Sequence, residues 1–169
     1  MRKPYKSCAP VLTSMLIVQA SYAFDVHGIH LGDRWDPDKL EEAMSYITVP
    51  TPQRVKCSTD GAERCVGTTR YLEADVRLTI EGANGRVRKM TMTLPTDDFD
   101  EEVSALKREF GQPTAEWSSP AGAAHLLFRH RVDWRGPNEE LFGLKFSAMA
   151  TISLTTPGES GADRFPPPS

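Results

Sequence analysis

Cysteine is scarce in this 169-residue chain, three residues in all, and long apolar runs are absent. The one marked apolar stretch, Ala9 to Ala20, is too short to cross a bilayer, and no later stretch approaches about 18 continuous apolar residues, which excludes a helical membrane span. No glycine-rich phosphate-binding loop is present. Ser104, Ser118, Ser119 and Ser147 stand in no nucleophile-elbow context. Clustered Lys and Arg are missing from a chain of 20 basic and 23 acidic side chains. A polyanion binder needs such a cluster to release counterions, so nucleic acid is an unexpected partner.

What is present begins with a leader. Arg2, Lys3 and Lys6 precede the apolar stretch, and Ser21-Tyr22-Ala23 places small residues three and one positions before a cut. These are the three parts of a secretory signal peptide. The expected organisation is a signal peptide over 1–23, one domain over 24–157 that starts at Phe24, and a tail over 158–169. That tail is rich in Gly, Ser and Pro and ends Phe165-Pro166-Pro167-Pro168-Ser169. Its composition predicts disorder. Cys8 lies before the apolar stretch and would be discarded with it, so no lipid anchor is expected. Removing Arg2, Lys3 and Lys6 leaves 17 basic against 23 acidic side chains, moving the net charge from -3 to -6. The expected location is the periplasm or the exterior, after cleavage following Ala23.

Two cysteines remain after such cleavage, Cys57 and Cys65, flanking the turn-forming pair Asp60-Gly61. An oxidising compartment and an even count predict a disulfide, which on the chain-entropy estimate contributes roughly 2.5 kcal/mol. A zinc site is the alternative, but two further ligands at matching spacing are not nearby.

Phe24, Val26, Ile29 and Leu31 suggest a short extended segment interrupted at Gly28. Asp36 as cap and Pro37 as first residue then predict a helix start, with Leu40, Ala43, Met44 and Ile47 on its apolar stripe and Pro50 and Pro52 at its end. From Leu72 the pattern changes to alternation, with Leu72, Ala74, Val76, Leu78 and Ile80 on one face. Asn84-Gly85 predicts a type I′ hairpin and Met90, Met92 and Leu94 line the return strand. Val87 is out of phase with them, which predicts a bulge near Arg88-Lys89.

A second helix is punctuated by Asp98 and Glu101 as a capping box, by Phe99, Val103, Leu106 and Phe110 as a stripe, and by Gly111 and Pro113 as terminators. Two alternating segments follow, joined at Gly136-Pro137-Asn138. Leu126, Phe128, Val132 and Trp134 are expected inward on the first; Phe142, Leu144, Phe146, Ala148, Ala150, Ile152 and Leu154 on the second. The predicted class is α+β, with two helices packed on one face of an antiparallel sheet, and the order of elements is compatible with two tandem helix-then-sheet halves.

Candidate chemistry is sparse. His27 and His30 with Asp25 and Asp33 could suggest a metal site, but histidines three apart on an extended segment project to opposite sides unless the chain bends at Gly28. His130 falls on the apolar face, where a hydrogen-bonded core histidine is the plainer reading, and His125 has no evident partner. Asp97, Asp98, Asp100, Glu101 and Glu102 are explained by the dipole of the second helix without calcium. No cofactor, no metal and no catalytic residue is assigned. A surface is the stronger candidate: Arg129, Arg131, Arg135 and Lys145 are expected on one polar face with Trp117 and Tyr71 at its edges, residue types that concentrate interface energy. The competing reading is an ordinary solvated sheet face.

Gly28-Ile29-His30-Leu31-Gly32-Asp33 before the first helix resembles the G-x-x-L-G lead-in of a group of small bacterial envelope proteins, and Phe110-Gly111-Gln112-Pro113 resembles their aromatic-G-x-P helix exit. The group includes the small lipoprotein of the outer-membrane β-barrel assembly machine and the secreted β-lactamase inhibitor proteins. Those proteins pair helices with antiparallel strands, and the inhibitors do so twice in tandem. The resemblance covers the two helical signatures and the element order; the inhibitors' two disulfides and the lipoprotein's anchoring cysteine have no counterpart here. It implies fold more than activity. The expected function is an exported, non-catalytic binding protein, an inhibitor, immunity factor or envelope-assembly accessory, whose partner is another envelope protein. The alternative is a small secreted hydrolase or metal binder using His27 and His30 or His125 and His130.

Overall fold

The computed structural model describes residues 24–45, 55–119 and 129–157. Expectations for 1–23, Ile47, Pro50, Pro52, His125, Leu126, Phe128 and the tail 158–169 lie outside the described residues. Among these residues two helices and eight strands follow in the order α1 (Pro37–Ser45), β1 (Lys56–Cys57), β2 (Arg64–Tyr71), β3 (Ala74–Ala83), β4 (Arg86–Leu94), α2 (Phe99–Phe110), β5 (Ala115–Ser118), β6 (His130–Arg135), β7 (Glu140–Lys145) and β8 (Ala150–Thr155). The strands form one antiparallel sheet in the order β1-β2-β3-β4-β8-β7-β6-β5. A helix followed by four strands therefore occurs twice, and the two meanders meet where β4 pairs with β8. Among the described residues no helix is long and apolar enough to cross a membrane.

Local chemistry accounts for the punctuation. Asp36 Oδ1 accepts the Lys39 amide and Pro37 opens α1. Asn84 and Gly85 both take positive φ, 56° and 73°, as a type I′ turn requires. Glu81 pairs with Lys89 but Gly82 pairs with Val87, leaving Arg88 as the extra residue of a bulge. That bulge restores Val87 to the buried face. The segment after Gly28 is pinned to this hairpin: Gly32 donates to Val87 O, Val87 to Asp33 O and Trp35 to Gly85 O. Cys57 and Cys65 face each other across β1 and β2 and are disulfide-bonded.

Register defines the two faces, because residues directly opposite in an antiparallel pair point the same way. Gly67, Leu78, Met92, Ile152, Gly143 and Val132 form one cross-sheet row, and Ile80, Met90, Leu154, Leu141 and Trp134 form the next. All are buried. Leu40 and Met44 of α1 and Phe99, Val103 and Leu106 of α2 belong to the same apolar cluster. Two glycines make room in it. A Cβ on Gly67 would strike the Val55 backbone, and one on Gly143 would lie 3.1 Å from the Phe99 ring.

Several expectations are corrected. Leu72 is not in a strand: it sits at φ 44° in the two-residue turn between β2 and β3, exposed. β2 itself had no clear signal, since its inward positions include Gly67 and Thr69. Asp98 precedes α2 without any side-chain cap bond, so the capping box is not made; its carbonyl accepts the Glu102 amide instead. The last alternating segment is a hairpin, β7 and β8, with Phe146 donating to Met149 O across the turn. That turn shifts the phase: Ala150, Ile152 and Leu154 point inward as expected, Phe142 and Leu144 point outward, and Ala148 is exposed in the loop.

Candidate interaction face

The face opposite the buried one is built from threonine and charge. One row runs Thr68, Arg77, Thr93, Thr151, Leu144, Arg131 and Trp117, and its neighbour runs Val66, Thr79, Thr91, Ser153, Phe142, Asp133 and Ala115. The β2–β4 side of these rows is open: Arg77 is exposed and Thr68, Thr79, Thr91 and Thr93 are half-buried. Arg77 makes no ion pair among the described residues. Toward β6, Arg131 and Asp133 are each only 7% exposed and joined at 2.9–3.1 Å. Two residues apart on a strand, they necessarily share a face.

The expected surface is thus only partly assembled. Arg135 and Trp117 stand on the outer face, Arg135 exposed and 3.5 Å from Glu140, Trp117 half-buried opposite Arg131. Arg129 is exposed just before β6. Arg131 is buried instead of free, because Asp133 compensates its charge. Lys145 lies on the other face: it is opposite His130 and Ala150, and its ammonium donates to Asp100 of α2 at 2.6 Å. Tyr71 is buried at the end of β2, its hydroxyl donating to Asp25 O and pushed far above its usual pKa by burial and by the acids Asp25, Glu102 and Glu109.

The histidines fall in separate places. His27 occupies a tight turn at φ 57° between the paired Val26 and Ile29, with Nε2 3.2 Å from Thr69 Oγ1 and its ring edge-on to Tyr71. Burial lowers its pKa, against the Arg70 backbone bond and the Asp25 charge. The His30 amide donates to Asp33 Oδ2. His125 lies outside the described residues. His130 is bracketed by Glu116 Oε1 at 3.0 Å and Asp100 Oδ1 at 3.4 Å.

Those carboxylates are shared with lysines: Asp100 with Lys145, and Glu116 with Lys107 at 2.8 and 2.9 Å. Burial pulls Asp100 upward, but the hydrogen bonds and charges of Lys145 and His130 outweigh it and hold its carboxyl below the usual range. Lys107, then His130, do the same for Glu116 against its partial burial. The ring of five groups ties α2 to β5, β6 and β7 and presents no unpaired nucleophile. Among the described residues no group of His, Cys, Asp and Glu is arranged to hold a metal ion. A cleft of about 320 Å³ between α1 and the chain start is lined by Asp33, Arg34, Asp36 and Lys39, without either nearby histidine.

Two carboxyls, one buried and one half-buried, escaped sequence reasoning in the roles they take. Glu102 is fully buried in α2, where Oε2 accepts the Glu73 amide at 3.0 Å and Oε1 has no partner among the described residues. Burial pushes its pKa up to about 7, against the Glu73 and Ala74 amides that favour the charged form. Glu139, in the β6–β7 turn, accepts the Phe24 amide at 2.7 Å and is also raised by burial. Asp133 was legible in principle, from its spacing two residues after Arg131. Set against protein families, curated proteins and solved structures, the chain finds no match.

Proposed function

We propose that this chain is an exported, non-catalytic binding protein of the bacterial envelope, of the inhibitor, immunity or assembly-accessory kind, and that it docks an acidic protein partner on the open outer face of its sheet. The observation that carries the reading is the inequality of the two faces. The two central inner rows are apolar and buried, whereas the outer rows on β2–β4 carry Val66 and four threonines around an exposed Arg77. Both helices are read as covering the inner face, since Phe99 lies over Gly143 and Leu40 and Met44 share the strands' apolar cluster. The β2–β4 part of the outer face is then left for a partner, since Arg131, Asp133, Phe142 and Ser153 on the β6–β8 part are buried.

Rows of short hydroxyl side chains give a flat surface that is inexpensive to order on binding, and the exposed Arg77 offers an acidic side chain of a partner a local counter-charge, set against the chain's own net charge of -3. The doubled helix-then-strands order supports the likeness to the inhibitor and assembly proteins, and the leader-like start supports export. The test is affinity capture from envelope extract with the exported chain and with Arg77→Glu. An acidic protein retained by the first, released by salt and lost with the second supports the reading. Equal capture by both removes the face assignment, and hydrolytic or metal-dependent activity in the purified chain removes the non-catalytic reading.

A further inference from the structure

Phe24 is held from both ends. Its ring is 1% exposed and meets Phe110 edge-on at 4.9 Å, at the last residue of α2. Its main-chain nitrogen lies 2.7 Å from Glu139 Oε1, across 115 residues of sequence. Glu139 is positioned in turn by the β6–β7 turn, where Gly136 donates to the Glu139 carbonyl. The carboxylate has no Lys or Arg within ion-pair distance among the described residues. Arg135, four residues before it, is engaged with Glu140 at 3.5 Å. An anion half withdrawn from water with one amide donor is an incomplete arrangement.

The sequence supplies the missing charge independently. Ser21-Tyr22-Ala23 places the cut of a secretory leader immediately before Phe24. We propose that Glu139 is a receptor for the chain's own α-ammonium group, created on Phe24 when the leader is removed. Hydrolysis of the Ala23–Phe24 peptide bond by water leaves a carboxylate on Ala23 and an α-ammonium on Phe24. One amide N–H is thereby replaced, at the same nitrogen, by a full positive charge with three donors. Removal of the leader thus completes an ion pair that ties the chain start to the β6–β7 turn and, through Phe110, to α2. This site rests on the export reading above, and it gives leader cleavage a structural consequence in the mature chain. Burial of the Glu139 carboxylate, which raises its pKa, is relieved by the same pairing.

The test uses the chain exported and processed in a secreting bacterium, an otherwise identical chain carrying one extra alanine before Phe24, and Glu139→Gln in each. Intact mass establishes the first residue, and NMR titration of the labelled α-amine gives its pKa. In the chain starting at Phe24 the α-amine is expected roughly one unit above its ordinary value of about 8. It should return to that value with Glu139→Gln, or with the extra alanine. Urea unfolding should show a larger loss from Glu139→Gln in the Phe24 chain than in the extended one. An exported chain beginning at another residue overturns the cleavage reading and this proposal together. A chain beginning at Phe24 whose α-amine titrates normally, or is unmoved by Glu139→Gln, overturns the receptor alone.

Discussion

Glu102 is the most deeply buried carboxyl among the described residues, with no measurable exposure and one oxygen without a partner there. Its pKa of about 7 stands above the 4.5 of an exposed glutamate, so the folded state holds a proton that the unfolded chain releases. The sign follows from that difference. The folded state binds more protons between pH 4.5 and 7, so stability is fully present below pH 4.5, falls as pH rises through the window, and levels off above about 7. A shift of this size corresponds to about 3 kcal/mol. Glu102→Gln keeps a carbonyl oxygen for the Glu73 amide and cannot ionise. The variant should match the parent within about 1 kcal/mol at pH 5 and exceed it by about 2–3 kcal/mol at pH 8. Urea unfolding of both proteins at intervals from pH 4.5 to 8.5, followed by tryptophan fluorescence, measures the difference. Other titrating groups such as His27 and Glu139 cancel in it. A stability difference that does not change with pH, or a variant weaker than the parent at pH 8, would refute the reasoning.

Arg131→Ala should destabilise by about 3 kcal/mol, because it leaves Asp133 buried without its guanidinium; restoring most of that loss with Asp133→Ala in the same chain, read by thermal melting, checks the pair. Gly143→Ala should cost about 1–3 kcal/mol by driving a methyl toward the Phe99 ring, and the added Phe99→Leu should recover part of it in denaturant titrations. Replacing Cys57 and Cys65 together by Ser should cost roughly 2.5 kcal/mol in urea unfolding, while the unreduced parent, denatured, should release no thiol to a colorimetric reagent. Arg77→Glu should leave the melting temperature within about 1 kcal/mol equivalent of the parent, since its side chain is exposed on the outer face.

Where the chain punctuates itself, local chemistry was enough. Asp36-Pro37 starts α1, Gly111 ends α2, Asn84-Gly85 makes a type I′ turn, and the misplaced Val87 announces the bulge that restores it. Each depends on φ preferences or a period that a few neighbouring residues determine. The Cys57–Cys65 pair was legible for the same reason, being close in sequence across a turn.

Pairing partners and what covers each face were decided by the tertiary structure. β2 buries Gly67 because Val55 occupies the space a side chain would need, and no periodicity registers a glycine. Phe142 and Leu144 read as inward until the 146–149 turn is placed; the inward slot between Leu141 and Lys145 belongs to Gly143, under Phe99. A slip of one residue exchanges the faces of a strand, and here it sends Lys145 to Asp100 and away from Arg131. Composition, the leader-like start and the turns were thus set by residues near one another in sequence. Which arginines face solvent and what Glu102 and Glu139 hold depend on strand pairing and on groups 29 to 115 residues away, which meet only in the folded chain.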